Sequence, residues 1–457
     1  MRPLSAVVRA VPMLVAVLLV TLTPTGGAAT AAGVVPGSYY LQSVVTGFHT
    51  AAAGDAVLQH RPKGDEDHQQ WAVRADGAEY RVENLDLPGR CLARSSGAPV
   101  LASCAAAGTR WEITAAGDDR YAVKEPGADR YLTVVPAGDV WAEALALGPD
   151  GERARWYLTP LLPPRVPVPA DGDRTLDQVT FLTAHNAFAN GVDGGFAPPI
   201  VNLFPNQARG ISQQLADGVR GFMLDIHQTP DGAILCHHSC TLVARPVALW
   251  VDLQRIVTYL QAHPSEIATI FLEDYVAPAV LRAELARVPG LAGMLIRPDV
   301  EGVREHGWPR LADLRGRDKR LLIFTDHSRA EDEAAGLTRD TFGVQYQREW
   351  TVENYWSMGS GTGTSDWSCY SRWYGGPATI PLTHTEPNFR PLFVMNHFRD
   401  VPIPATSSGD NAKVLNRAER FCTPAARKKP NYLAVDRYDL GGPATAVDRL
   451  NTYDVFS

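Results

Sequence analysis

The rhythm of apolar positions divides the chain into blocks. From about residue 36 to 159, apolar residues alternate in short runs such as Tyr39–Ser43 and Tyr131–Val135, broken by Gly, Asp and Pro. No helical period runs through this block, which predicts strands alone. After residue 171 the pattern changes. The short apolar runs Val179–Ala184, Phe222–Leu224, Ala233–Cys236, Ala268–Leu272 and Tyr432–Val435 now alternate with amphipathic stretches over Asp252–Ala262, Val280–Val288 and Ala444–Leu450. In the first of these, Leu253, Ile256, Leu260 and Ala262 fall near one face. Strand–helix alternation on this scale predicts parallel strands and a single α/β barrel over 171–457. Between the blocks, residues 160–170 hold five prolines in eleven positions. They predict a stiff, extended linker that sets the first block apart as a targeting module. At the start, Arg2 and Arg9 precede an apolar run from Val11 to Leu22, followed by small residues up to Ala32. That order reads as a secretory signal peptide over 1–32, too short to span a membrane.

Trp71, Trp111 and Trp156 mark an internal repeat in the first block, with spacings of 40 and 45 residues (111 − 71 and 156 − 111). Each closes a short segment, as in Gln69-Gln70-Trp71. Three units of similar length without helical period predict a β-trefoil over 36–159. The plain reading of each tryptophan is a core residue.

Charge narrows the partners. The formal net charge is −7, and removing Arg2 and Arg9 with the signal peptide takes it to about −9. Such a chain has no general attraction to nucleic acid. Peripheral contact with a membrane stays open, and a monomer is expected. Six cysteines in an exported chain read as three disulfides. Proximity suggests Cys91–Cys104, Cys236–Cys240 and Cys369–Cys422. A metal site from Cys236, His237, His238 and Cys240 is the alternative. No Gly-rich phosphate loop, nucleophile-elbow serine or His-Glu-x-x-His motif appears.

The candidate chemistry sits where the apolar runs end. His185, Asp225, His237, Glu273 and Asp436 each follow or close one of the five runs. In a parallel barrel those ends open on one face, the face that carries active sites. Two imidazoles there can divide a phosphodiester cleavage. One takes a proton from an attacking hydroxyl and the other gives one to the leaving oxygen. Asp436 can hold one imidazole in its tautomer. Asn186, Asp225 and Glu273 offer hard oxygen ligands suited to Ca2+, less clearly to Mg2+. The structural alternative for these carboxylates is pairing with an arginine, such as Arg220.

Two family resemblances follow. The tryptophan repeat resembles the ricin-type lectins, whose repeats end in Gln-x-Trp, although only Trp71 keeps the glutamine. That implies a possible carbohydrate ligand. The stretches Phe181-Leu-Thr-Ala-His-Asn186, Gln214 to Asp225, Leu235-Cys-His237, His263-Pro-Ser-Glu-Ile267, Phe271-Leu-Glu-Asp-Tyr275, Leu322-Ile-Phe-Thr325 and Tyr432-Leu-Ala-Val-Asp436 resemble the X-domain of phosphatidylinositol-specific phospholipases C. Their secreted phospholipase-C-like relatives are the nearer match. This resemblance implies an irregular barrel, a phosphoric diester hydrolase or lyase of the phospholipase C type, and a phospholipid or other phosphodiester substrate. It casts His185 as general base, His237 as general acid and Asp436 as the residue that orients the base. Asn186, Asp225 and Glu273 match three calcium-ligand positions. Met223 stands where metal-dependent members carry a glutamate, and His227 where metal-free members carry an arginine. His227 and His238 are therefore candidates for the substrate phosphate, with His238 a second candidate acid. A glycerophosphodiester substrate, or a carbohydrate-binding protein with a non-catalytic barrel, is the rival reading.

Overall fold

A computed structural model of the protein describes residues 34–64, 66–194, 205–237, 240, 246–375 and 379–456. The expected signal peptide and His238 lie outside the described residues.

The N-terminal unit runs from the strand Gly37–Ser43 to the strand Arg155–Pro160, and twelve strands form one antiparallel sheet. The sheet closes on itself. Tyr131–Val135 pairs with both Ala142–Gly148 and Arg120–Lys124, and Ala56–His60 pairs with His49–Ala53, Ala142–Gly148 and Val100–Ser103. Closure leaves these strands without a free edge. The three tryptophans are fully buried at its centre. Each indole Nε1 donates to a carbonyl at 2.9 Å: Trp71 to Thr50, Trp111 to Leu92, Trp156 to Leu132. A buried N–H needs such an acceptor, and the same solution recurs three times. Each tryptophan also follows a single 3-10 turn, at Asp67–Gln69, Ala107–Thr109 and Glu152–Ala154. Gln69 ties its turn to the preceding segment, donating to the Arg61 carbonyl and accepting from the Lys63 N–H. Thr109 replaces it with a shorter hydroxyl bonded to the carbonyls of Cys104 and Ala106, and Ala154 makes no side-chain bond.

The C-terminal unit is built on eight strands that pair in parallel. Across the sheet they run Gln345–Tyr346, Leu321–Thr325, Ala268–Tyr275, Gly221–Thr229, Phe181–Ala184, Tyr432–Val435, Leu392–His397 and Thr351–Glu353. The two edge strands are joined by the one-turn helix Gln347–Trp350. So short a connection requires the sheet to curl until its edges approach. Strand alternation separates two apolar layers. Phe222, Leu224 and Ile226 face outward beneath helices such as Leu249–Ala262, while Phe271, Phe324, Val394 and Tyr432 fill the inside with Met223 against them. Gly221 is obligatory here, since a Cβ would lie 2.2 Å from Thr183 Oγ1.

Two expectations change. The run Ala233–Cys236 is not parallel. The strand Gly232–Leu235 pairs antiparallel with Ile226–Thr229 as a hairpin. The cause is the tight turn at Pro230–Asp231, which permits a hairpin but no parallel crossover. The proline segment also does not hold the units apart. Arg165–Pro167 pairs with the C-terminal strand Tyr453–Val455, and the units meet over a polar and aromatic interface. Gln42 Nε2 donates to the Ala425 carbonyl (2.7 Å), Arg427 to Thr159 Oγ1 (2.9 Å), and Arg61 pairs with Asp366 (2.7 Å). The approach is close enough that a Cβ on Gly64 would meet the Arg420 carbonyl oxygen at 1.8 Å.

Candidate active site

The inner layer ends in polar side chains around a cavity of about 580 Å3. His185, Asn186, Asp225, His237 and Glu273 all line it. Strand register explains the convergence. Asp225 lies beside Glu273, Leu272 beside Thr325, and Ala184 beside Val435, so the residues that follow these strands emerge side by side.

Asp436 lies beneath His185 and is buried. Its Oδ1 accepts from His185 Nδ1 at 2.8 Å and from Asn206 Nδ2 at 2.8 Å, while Oδ2 has no hydrogen-bond partner among the described residues. The bond fixes Nδ1 as the donor, which leaves Nε2 to carry the lone pair. The His185 ring is stacked on Phe398, with centroids 3.5 Å apart and planes 6° from parallel. Gln207 Nε2 pins the backbone by donating to the carbonyls of His185 (2.8 Å) and Val435 (2.9 Å). The next residues, Asn186 (φ 44°) and Arg437 (φ 46°), both occupy the left-handed region. Such strain at neighbouring strand ends is a common mark of functional sites.

His237 lies across the cavity with its side chain 40% exposed, and its Nε2 is 3.9 Å from Asp225 Oδ2. The adjoining Cys236 is bonded to Cys240, so neither sulfur is a free metal ligand. Cys91–Cys104 and Cys369–Cys422 form the other two disulfides. His227 does not line the cavity. It stacks on Tyr275 (centroids 4.5 Å apart) close to the Cys236–Cys240 pair. Met223 does line the cavity and offers it a thioether.

Asp225 and Glu273 meet a third carboxylate, Asp326, which directly follows the strand Leu321–Thr325. Burial first, then the charges of Glu273 and Asp326, push the Asp225 carboxyl well above its usual range. Burial, with Glu273 beside it, pushes Asp326 up to about 6. Tyr275 donates its hydroxyl to Glu273. Arg220 is not their partner. It pairs with Glu266 at 2.7 Å. Arg372 and Arg399 line the same cavity, Arg372 paired to Glu353 at 3.0 Å and Arg399 to Asp410 at 2.7 Å. Asp225, Glu273, Asp326 and the buried Asn186 are hard oxygen donors lining one cavity, a donor set of the kind Ca2+ takes, although the three carboxylates do not all lie within 4.8 Å of one another.

Sequence reasoning missed Asp326, Asn206, Glu353, Arg372, Asn396 and Trp356, all of which line the cavity. Glu353 gathers several of them. It accepts from Arg372 (3.0 Å), Asn396 Nδ2 (2.6 Å) and Gln347 Nε2 (2.9 Å).

Residues 172–356 match the family model for the PI-PLC X domain. The chain is 30% identical over 284 residues to a PI-PLC X domain-containing protein of Arabidopsis thaliana, covering 60% of this chain and 62% of that protein. It is 28% identical over 189 residues to PI-PLC X domain-containing protein 1 of Arthroderma benhamiae, covering 40% and 58%. A second protein of that fungus, named an uncharacterized secreted protein, is 22% identical over 285 residues, covering 59% and 58%. The chain thus spans about three-fifths of the length of these relatives. Among solved structures, the ricin B-like lectin of Macrolepiota procera covers 28% of this chain and 97% of its own, at 18% identity and a TM-score of 0.24, too slight a likeness to argue from. Among the described residues, no helix is long and apolar enough to cross a membrane.

Proposed function

We propose that the protein is an exported phosphodiesterase of the phosphatidylinositol-specific phospholipase C type. In this reading a β-trefoil precedes an irregular TIM-like barrel, and the substrate is a phospholipid headgroup diester. The observation that carries the proposal is the buried Asp436–His185 pair at 2.8 Å, facing one cavity with His237. The PI-PLC X match over residues 172–356, which hold both histidines, supports it. The trefoil reading rests on the closed antiparallel sheet and its three equivalent indole bonds.

His185 Nε2 takes the proton from a headgroup hydroxyl whose oxygen then bonds to phosphorus. The bond from phosphorus to the alcohol oxygen breaks, and His237 delivers a proton to that oxygen. The products are a cyclic phosphodiester and a free alcohol, diacylglycerol in the lipid case. Asp436 stabilises the imidazolium formed on His185 without itself taking the proton. Asn186, Asp225 and Glu273, joined by Asp326, would hold Ca2+, whose role when bound is to offset the charge of the diester. Every oxygen of the set is hard, and the mutual repulsion of the three carboxylates is what a cation relieves. A carbohydrate ligand for the trefoil remains part of the proposal.

The test is a panel of phosphodiesters, including phosphatidylinositol and glycerophosphodiesters, offered to the mature protein with Ca2+ and with chelator. Release of a cyclic headgroup phosphate supports the reading. Absence of turnover on every diester favours the carbohydrate-binding rival.

A further inference from the structure

One residue that lines the cavity, Arg372, belongs to a segment that the N-terminal unit touches. That segment, 366–375, is held on two sides. On the barrel side the Arg372 N–H donates to the Glu353 carbonyl (2.9 Å), the Tyr355 N–H donates to the Tyr370 carbonyl (2.9 Å), and Cys369 is bonded to Cys422. On the other side the segment meets the N-terminal unit. The Cys369 N–H donates to the Pro62 carbonyl at 3.0 Å. Asp366 pairs with Arg61 (2.7 Å), whose guanidinium lies 3.2 Å from the centre of the Trp141 ring and 5.0 Å from that of Tyr370. Tyr374 donates its hydroxyl to Glu143 and stacks on Phe48 with centroids 4.5 Å apart. Glu143 is itself buried and fixed by the N–H groups of Ala137 (2.6 Å) and Gly138 (2.8 Å).

We infer that the N-terminal unit completes the active site: Glu143 and Arg61 are positioning residues that hold the segment 366–375, so that Arg372 reaches into the cavity as a substrate-binding residue. The guanidinium is held there by one hydrogen bond, from Nη1 to Glu353 Oε1 (3.0 Å). It offers donors to oxygen-rich acceptors, either the diester phosphate or headgroup hydroxyls. This inference rests on the phosphodiesterase reading, and it gives the first block of the chain a role beyond targeting. A change on the N-terminal unit that loosens Glu143 or Arg61 will then be felt as weaker substrate binding.

The experiment uses the full-length protein. Glu143→Ala removes the acceptor for Tyr374, Glu143→Gln keeps one, and Tyr374→Phe deletes the same bond from the other side while retaining the stacked ring. Each is made with Arg372 intact and with Arg372→Ala. KM and kcat are measured on a soluble phosphodiester, and amide hydrogen exchange is followed at Cys369 and Arg372. Arg372→Ala should raise KM by about tenfold or more. Glu143→Ala and Tyr374→Phe should each raise KM by about threefold with kcat little changed, and by nothing further when Arg372 is already alanine. Exchange should quicken in Glu143→Ala and return toward the parent rate in Glu143→Gln. Unchanged exchange in both Glu143→Ala and Tyr374→Phe overturns the inference, as does an unchanged KM in Arg372→Ala, or full additivity of the pair. If the parent protein cleaves no diester, the proposed function fails, while the exchange measurement still decides the positioning.

Discussion

Replacing Asp436 by asparagine separates orientation from charge at the proposed base. In the folded protein a single oxygen of Asp436 receives both His185 Nδ1–H (2.8 Å) and Asn206 Nδ2–H (2.8 Å), away from solvent. An asparagine amide fits the same space and its oxygen can still accept, so packing is conserved. What goes is the negative charge opposite the imidazolium that forms when His185 takes the proton. A hydrogen bond to a charged group contributes roughly 1.5–3 kcal/mol. At about 1.4 kcal/mol per tenfold in rate, losing it lowers kcat by about 10- to 10²-fold. The amide can also turn its NH2 toward Nδ1 and favour the wrong tautomer, which pushes the loss toward the upper end. The assay is steady-state turnover of a soluble phosphodiester, with circular dichroism and thermal unfolding as checks on the fold. A folded Asp436→Asn protein with parent kcat would refute the role given to the pair.

His185→Ala and His237→Ala should each lower kcat by at least about 10²-fold, and a His238→Ala control should not; loss with His238 and not His237 would move the acid by one residue. Ca2+ titrated calorimetrically into chelator-treated protein should bind, and Glu273→Gln or Asp326→Asn should weaken that binding; no heat at millimolar Ca2+ would reject the site. Stability should depend on pH through buried histidines. Burial holds His49 and His397 down to about 3, so their contribution is complete above about 6.5 and is lost as pH falls toward 3, by up to about 1.4 kcal/mol per pH unit each. Asp252 and Asp326, pushed up to about 6 by burial, act in the opposite sense, their contribution being present below 3.8 and lost as pH rises through 6. His397→Asn should therefore flatten the fall in urea-unfolding free energy between pH 6.5 and 5, and an unaltered slope would contradict this.

What the sequence disclosed, and what it hid, follows from the range of the interactions. Strand ends were legible because period-two alternation and parallel register are local and regular, so His185, Asp225 and Glu273 reach one cavity as their positions imply, with Asp436 buried beneath His185. Asp326 occupied the same kind of position after Leu322-Ile-Phe-Thr325 and could have been found by the same rule. The hairpin that carries His237 also had its signal, in the short Pro230–Asp231 turn. Arg372, Glu353, Asn396 and Trp356 had none. Glu353 and Asn396 meet because Leu392–His397 and Thr351–Glu353 pair across about forty residues, and Arg372 and Trp356 reach the same cavity from loops. The union of the two units was equally hidden, since Arg61 and Asp366 are 305 residues apart (366 − 61). A proline-rich segment fixes the stiffness of a connection and says nothing about whether the bodies it joins touch.

If His185, set by Asp436, drives cleavage of a phosphodiester in this cavity, phosphorus NMR of phosphatidylinositol vesicles incubated with the mature protein and Ca2+ will show it. A cyclic phosphodiester signal should grow at the expense of the lipid resonance with the parent protein and be absent with His185→Ala. Equal product from both proteins would contradict it.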